Sequence, residues 1–462
     1  MATPPRQFDR SIVEGPIAKA VWKLAWPTML QNAIGGLQGL IDHAMVGHYV
    51  GYHGNAAIGV AWQIFLVVIV FITALFTGMG VLVARHAGAD DHHAADHAVY
   101  QAFLTAAGLS LGILAPLGYL LAPTLLEFVQ AAAPVRAEAL PYLRTMFVYS
   151  LGMMMFFMVG GALRSAGDAR TPLQLGVAYT VMNIGLNVIL IRGLGPIPAL
   201  GTKGAALGTV IAGGVLAAWS LWQLTHGKWV VGFPRERGWG PDWHVIRQLF
   251  RFGLPAGFQG VAMNIGGVLL LRYIGSLPQS GEAQAAYAIG YTELFSMITW
   301  TSVGLMGATA AVAGQNLGAG HPERVVQGVH AAARIGLIGA AAVGTLFLTV
   351  PRLLLALFGM TDPEVVALAT GLLRFLSVSG FFITVALTYT GGLQGTGDTR
   401  SPLYITLVSQ LAVPLGLCAV IQSVRPLQAQ DIWTAILLGH MTRCGLSVLR
   451  FRQGKWRGIA VA

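Results

Sequence analysis

The chain has 462 residues, of which 55% are hydrophobic and 10% are charged, and its net charge is +10. Soluble domains carry roughly 25% charged residues, so the composition excludes an ordinary soluble domain and indicates a membrane protein. The two cysteines, Cys418 and Cys444, do not suggest a disulfide framework, and no nucleic-acid partner is expected because the sidedness of loop charges in a membrane protein explains the basic excess better.

Apolar segments run along the whole chain, many of them reaching the roughly 20 residues that a helix needs to cross a bilayer. About twelve can be counted by this criterion, at 22–47, 55–83, 98–122, 138–162, 171–192, 201–225, 246–274, 284–312, 327–350, 364–393, 402–422 and 431–449. They predict an all-α polytopic membrane protein. Pro27, Pro255 and Pro414 lie inside these segments and predict kinks, because proline removes a helical N–H donor.

One six-residue phrase occurs twice. The sequence Gly-Asp-Ala-Arg-Thr-Pro at 167–172 returns as Gly-Asp-Thr-Arg-Ser-Pro at 397–402, an offset of 397 − 167 = 230 positions, which is half the chain. Two homologous halves follow. We predict a six-helix lobe at 1–225, a cytoplasmic linker at 226–245 and a second six-helix lobe at 246–462. Because six is an even number, the lobes enter the membrane in the same orientation and are related by a pseudo-two-fold axis along the membrane normal.

Basic residues indicate the orientation of the chain. With the N-terminus inside, about seventeen Lys and Arg residues fall on the cytoplasmic side and about six outside. We therefore predict a multi-pass protein of the inner (plasma) membrane with both termini in the cytoplasm. The first apolar segment is too long for a signal-peptide core and is interpreted as a retained helix.

Acidic residues deep in a membrane helix are the strongest functional candidates, because burying a carboxylate there costs roughly 3 kcal/mol or more. Asp42 lies in the first segment, and Asn183 and Asn187 in the fifth are four residues apart and share a face of their helix. A carboxylate with two amide oxygens suits Na⁺, or a proton carried on the carboxylate. The equivalent positions of the second half are apolar, which confines this cluster to the first lobe. The alternative is that Asp42 is hydrated and the asparagines tie helices together.

A weaker prediction concerns a substrate cavity. Glu293 in the eighth segment either attracts a cationic substrate or pairs locally, with Arg272 as the partner. Gln259 and Asn264 in the seventh segment and Met155 in the methionine-rich fourth are assigned to the same cavity, since methionine provides an adaptable apolar surface.

A histidine-rich loop follows the second segment. His93 and His97 have the i, i+4 spacing that can bind a metal ion, and His86 and His92 lie close to them in sequence. The equivalent loop of the second half lacks the pattern, so we interpret the loop as solvated rather than as a metal site.

These residues resemble the multidrug and toxic compound extrusion (MATE) transporters. The resemblance rests on Trp26-Pro27 followed by Asp42, on 161–172, 183–187 and 200–209 in the first half, and on 314–320 and 392–398 in the second. It implies two six-helix lobes around a V-shaped cavity, alternating access, and export of bulky compounds in exchange for inward Na⁺ or H⁺. By position, Asp42 resembles the family's coupling carboxylate, Asn183 and Asn187 its helix-five partners, and Thr209 its helix-six hydroxyl.

The sequence thus predicts a secondary active antiporter that exports organic, often cationic, drugs or toxic metabolites. It is not expected to be an enzyme or to hold a cofactor beyond the coupling ion, and a monomer offers a complete path. The alternative from the same superfamily is a lipid-linked oligosaccharide flippase, which requires a cationic cavity. Rivals of other classes are a metalloenzyme built on the histidine loop and a passive channel. The substrate, the choice between Na⁺ and H⁺, a second-lobe coupling site and the oligomeric state stay open.

Overall fold

The computed structural model describes residues 7–234 and 239–460. Residues 235–238 of the predicted linker lie outside the described residues, as do Arg6, Arg235 and Arg237, which were counted in the charge asymmetry.

The described chain folds into helices and forms no β-strand within those ranges. In chain order the helices are α1 (Ser11–Glu14), α2 (Ile17–Tyr49), α3 (Tyr52–Gly88), α4 (His92–Phe128), α5 (Ala133–Val148), α6 (Ser150–Ser165), α7 (Arg170–Arg192), α8 (Gly201–Thr225), α9 (Trp243–Gly275), α10 (Ser280–Gly318), α11 (Pro322–Thr349), α12 (Pro351–Leu357), α13 (Pro363–Gly395), α14 (Arg400–Val424) and α15 (Ala429–Arg452). A 3₁₀ turn, Lys455–Gly458, follows α15.

The predicted all-α polytopic fold is confirmed. Among the described residues, ten helices are long and apolar enough to cross a membrane, and α5 and α6 form an eleventh span bent by 55°. The remaining long helix, α2, has 33 residues and is more polar because it carries Gln38 and Asp42. Together these elements match the twelve predicted segments.

Three of the long helices contain a π-helical turn: Ser110–Leu114 in α4, Ala288–Leu294 in α10 and Leu407–Ala412 in α14. In α4 and α14 a proline, Pro116 or Pro414, follows within two residues. Proline donates no N–H to the preceding turn, so a local change of helical register accommodates it.

The chain forms two compact units. Each unit consists of most of one predicted lobe together with a short segment of the other lobe. Of the described residues, the first unit contains 30–234 and 239–257 with 7–9, and the second contains 10–29 with 258–460. Thus the first part of α2 belongs to the second unit, and the first part of α9 belongs to the first unit. Each change of unit falls two residues after a proline inside the helix, Pro27 or Pro255. A missing helical hydrogen bond at these points explains why the two parts of each helix can pack separately.

Within the first unit, the start of α4 holds the segment that leads into α9. Asp96 Oδ1 accepts from Gly232 N at 2.6 Å, and His97 Nε2 is hydrogen-bonded to Asp242 Oδ2 at 3.0 Å. Gln101 Nε2 donates to Gly240 O at 3.0 Å and its oxygen accepts from Asp242 N. Asp96 and His97 are both buried. The prediction of a solvated histidine loop was therefore wrong for these residues, because the linker covers them.

In the second unit, the segment that leads into α2 is bound in an equivalent way. Arg324 at the start of α11 donates from Nη2 to Gly15 O at 2.7 Å and to Ile12 O at 3.3 Å. Asn316 Nδ2 donates to Ile12 O at 3.2 Å, and its oxygen accepts from Arg324 Nε at 2.9 Å. In both units, therefore, the start of a helix of one half, α4 or α11, binds the backbone that precedes the first long helix of the other half, α9 or α2.

The repeated phrases form matching turns. Gly167 and Gly397 have φ values of 102° and 95°, a left-handed conformation that glycine adopts without steric cost. Asp168 accepts from the backbone N–H of Thr171, as Asp398 does from Ser401. Each aspartate therefore binds the first turn of the helix that follows it. Asp398 also binds an arginine, Arg450, at 2.8 Å.

Protonation of Asp242 should weaken the linker contact. The hydrogen bond from His97 lowers the pKa of Asp242 below its ordinary value, so its contribution to stability is present above that ordinary pKa and is lost as pH falls through the lowered one. Since Asp242 is partly exposed, we expect Asp242→Asn to cost only about 0.5 kcal/mol at neutral pH. Unfolding measured in detergent should show this difference shrinking at acidic pH.

Asp90→Asn is the control for Asp242→Asn, because Asp90 is an exposed carboxylate in the loop just before α4. A difference between wild type and Asp242→Asn that persists unchanged at low pH would contradict the assignment.

Candidate functional site

The predicted ion-coupling residues come together inside the first unit. Asp42 is on α2, Asn183 and Asn187 are on α7, and Thr209 is on α8. Asn183 and Asn187 are fully buried, whereas Asp42 is half-buried. The i, i+4 spacing of the two asparagines presents both amides to one side of α7, as predicted.

A chain of hydrogen bonds joins these side chains. Asn187 Nδ2 donates to Asp42 Oδ1 at 2.8 Å, and Asn183 Nδ2 donates to Thr209 Oγ1 at 3.2 Å. Gln38, one turn before Asp42 on α2, donates from Nε2 to Asn183 Oδ1 at 3.2 Å, and its own oxygen accepts from Thr180 Oγ1 at 2.9 Å. The polar cluster is thus a continuous network across three helices.

The Asn183 amide can serve two states of Asp42. One end of this amide lies 3.1 Å from Asp42 Oδ1 and the other lies 3.2 Å from Thr209 Oγ1. With nitrogen towards Asp42, the amide donates to an ionised carboxylate. With oxygen towards Asp42, two acceptors face each other, and a proton on the carboxyl or a bound cation is needed between them. Turning this one amide therefore changes whether a donor or an acceptor faces Asp42.

The amide oxygen of Asn187 accepts no hydrogen bond in the described part of the chain. Its nitrogen donates to Asp42, while its Oδ1 is buried and has no hydrogen-bond partner in the described part of the chain. A buried polar atom without a partner costs roughly 1–3 kcal/mol. A cation bound beside Asp42 would offset that cost, so the donor set fits Na⁺, which prefers oxygen ligands. No group of three or more His, Cys, Asp or Glu side chains suited to a metal ion occurs among residues 7–234 and 239–460.

The space for Asn187 Oδ1 depends on Gly208, the residue before Thr209. A Cβ atom at position 208 would overlap Asn187 Oδ1. Glycine therefore allows α8 to approach the amide closely.

Gln38, Thr180 and Gly208 were not among the predicted site residues. Gln38 and Thr180 lie one turn before Asp42 and Asn183, so helical spacing could have indicated them. Gly208 gave no such signal, because its role depends on how closely two helices approach.

The residues predicted for a substrate cavity are not connected to one another by any described hydrogen bond. Met155 is buried in the first unit, and the other three belong to the second. Gln259 is buried and accepts from Gln394 Nε2 at 3.1 Å, while Asn264 is exposed and donates to Gly260 O within its own helix. Glu293 lies half-buried in the π turn of α10 and forms no ion pair with Arg272 in the described chain. The cavity stays a prediction.

The fold and this network define a multi-pass membrane protein with a polar site buried among its helices. Comparison with known proteins identifies its family: the MatE family model matches residues 27–189 and 255–420, one match in each half of the chain. The chain belongs to the MatE family.

Curated relatives align over nearly the full length. The "Probable multidrug resistance protein NorM" of Thermotoga maritima is 28% identical over 455 residues, covering 96% of this chain and 94% of the relative. The protein of the same name from Deinococcus radiodurans is 28% identical over 93% of this chain and 94% of its own length. "Multidrug resistance protein MdtK" of Yersinia pseudotuberculosis is 26% identical, with 96% of each chain covered.

Solved structures share the fold. An outward-facing multidrug resistance MATE family transporter of the MOP superfamily matches with a TM-score of 0.89 at 21% identity, covering 99% of this chain and 100% of its own. A MOP superfamily transporter from Pyrococcus furiosus, whose binding pocket is described as having reverse polarity, matches with a TM-score of 0.88 at 22% identity, covering 97% and 98%.

Gly208→Ala should disable the site without unfolding the protein. The added methyl group displaces Asn187 Oδ1, and we expect the loss of one such oxygen, worth roughly 1–3 kcal/mol, to weaken ion binding about 5- to 150-fold. The ion concentration that gives half-maximal transport in liposomes measures this change.

Gly214→Ala on the same helix is the matched control for Gly208→Ala, because a Cβ there meets nothing within 4 Å. Equal ion dependence in the two variants would refute the role of Asn187 Oδ1.

Proposed function

We propose that this protein is a secondary active antiporter that exports organic, often cationic, compounds in exchange for inward H⁺ or Na⁺. It acts as a monomer by alternating access in the plasma membrane, with both termini in the cytoplasm, and it performs no catalytic step. The relatives named as multidrug resistance proteins support the substrate class. The observation that carries the coupling is the hydrogen bond from Asn187 to Asp42 next to an unpaired buried acceptor.

Ion coupling follows from the single negative charge of the cluster. The described hydrogen bonds of Asp42 come from an uncharged amide, and no ion pair neutralises it in the described chain. A carboxylate in this position favours entry of a cation, because isolated charge within a membrane is costly. A proton or Na⁺ at Asp42 removes that charge, so an organic cation and the coupling ion compete for the same electrostatic attraction. Ion binding therefore disfavours bound cationic substrate and drives its release.

The two candidate ions use the cluster differently. A proton on Asp42 can be donated to the Asn183 amide oxygen when that oxygen faces Asp42. Na⁺ instead needs several oxygens, and those of Asp42, Asn183 and Asn187 are the available set. Both modes leave Gln38 to hold Asn183 in place.

Transport in proteoliposomes would test the proposal. Purified protein is reconstituted with a fluorescent organic cation, and transport is driven separately by a Na⁺ gradient and by a pH gradient. We expect transport under one gradient and a fall to the protein-free background in Asp42→Asn, because the neutral side chain cannot exchange charge.

Glu364→Gln controls for loss of a carboxylate elsewhere, since Glu364 is exposed at the start of α13. Folded Asp42→Asn protein that still moves the cation against its gradient would refute coupling at Asp42. Absence of transport by wild type under either gradient would refute the proposed substrate class and favour the lipid-linked oligosaccharide alternative.

A further inference from the structure

A second polar cluster lies inside the second unit, on facing sides of α14 and α15. Its polar atoms are buried and have no hydrogen-bond partner in the described part of the chain. They are Thr406 Oγ1, Ser409 Oγ and Gln410 Nε2 on α14, and His440 Nδ1, Arg443 Nε and Ser447 Oγ on α15. Every one of these atoms belongs to a group that can donate a hydrogen bond.

Helix packing brings the two sets face to face. Gly439 on α15 lies so close to α14 that its Cβ would be 2.7 Å from Ser409 O. The helices are consecutive and joined by a short turn, so they run antiparallel. Four residues beyond Gly439, on the same side of α15, Arg443 is about 6 Å further along at 1.5 Å per residue. The same distance back along α14 from Ser409 reaches Ile405, next to Thr406, which lies one turn before Ser409 on the same side of the helix and therefore close to the level of Arg443.

Helix α9 supports the same register. Arg443 Nη1 contacts Met263 Sδ at 3.9 Å, and one turn further a Cβ at Gly266 would lie 2.8 Å from Gln410 O. Three helices of the second unit therefore meet around the guanidinium. On another side, the His440 ring stacks on Phe295 and Tyr291 of α10, with ring centroids 5.6 and 6.4 Å apart.

The charge of Arg443 has no counter-charge in this cluster. Its side chain is 1% exposed, and the described hydrogen bonds include one from it, to the weak acceptor Met263 Sδ. Asp431 is the single acidic residue of α14 and α15, and it pairs with Arg425 at 2.7 Å. Glu293 on α10 forms no ion pair with Arg443 in the described chain. A buried guanidinium without a partner is strongly unfavourable.

We propose that Arg443, with the hydroxyls of Thr406 and Ser409, forms a binding site for a small monovalent anion of the halide class. The cluster offers a full positive charge and several donors, which is the environment that a desolvated anion requires. Its burial favours a chloride-sized ion over an anionic group on a bulky molecule. The site is separate from the cation cluster, because Arg443 belongs to the second unit and Asp42 to the first. The first half has no equivalent of Arg443, since α8, which corresponds to α15, carries no basic residue between Lys203 and His226. It does not depend on the proposed transport function.

Thermal unfolding of the full-length protein in detergent would test the site. Chloride is titrated against gluconate, which is too bulky for a buried site, at constant Na⁺ and ionic strength. A ligand that binds the folded state stabilises it as its concentration exceeds its dissociation constant. We expect the unfolding temperature of wild type to rise with chloride and then saturate, and the rise to disappear in Arg443→Gln.

Arg272→Gln is the matched control, because Arg272 is an exposed arginine of the same unit and its loss should leave the chloride response intact. A flat wild-type response would overturn the proposal and indicate that Glu293 or water balances Arg443. A saturable response that survives in Arg443→Gln would also overturn it, since the anion would then bind elsewhere. If acetate stabilises wild type as chloride does, the halide assignment is wrong and a carboxylate group occupies the site.

If Arg443→Gln fails to fold, anomalous diffraction from wild-type crystals grown in bromide tests the same site without a variant. The anomalous signal of bromide should give a peak in contact with Arg443 Nε. Absence of that peak from crystals with bromide bound elsewhere would overturn the assignment.

Discussion

Hydrocarbon offers no hydrogen bonds, and this constraint governs the whole molecule. Each backbone group within the membrane has to be satisfied inside its own helix or by an immediate neighbour. The long helices meet that requirement, and the departures from it in the described chain include the π turns and prolines inside helices such as Pro27 and Pro255. Side chains obey the same constraint, since Gln38, Asn183 and Asn187 form a shared network instead of facing lipid. The few polar atoms left without partners are therefore informative.

The two halves keep their scaffold and differ in their buried charge. The two halves form equivalent turns at Asp168 and Asp398, as expected for a duplicated unit. They also form equivalent hydrogen bonds to the exchanged segments. In contrast, the first unit carries a half-buried carboxylate at Asp42, and the second buries a guanidinium at Arg443. Geometry that both halves need has been retained, whereas the side chains facing each interior have diverged. Opposite charges in separate units also limit the net charge that the protein places within the membrane.

Much of the fold was predictable because it depends on local features. Apolar length predicted the spans, and the repeated phrase predicted the two halves. The meeting of Asp42 with Asn183 and Asn187 was predictable because i, i+4 spacing on α7 and an isolated acid on α2 do not depend on tertiary detail. The network of Gln38 and the space at Gly208 depend on the distance and rotation between helices, which one sequence does not encode visibly. Arg443 was missed for the same reason, since distance from a helix end does not reveal which side of α15 faces α14.

Because of the exchanged segments, the boundaries of the sequence repeats do not coincide with the boundaries of the compact units. A fragment that ends within the linker would contain a complete repeat, yet it would lack the part of α9 that completes the first unit. It would also carry the segment just before α2, where Ile12 and Gly15 bind Asn316 and Arg324 of the other fragment. A half-chain would therefore carry one segment without its partners and would lack another that belongs to its own unit, so each repeat depends on the other to complete its core.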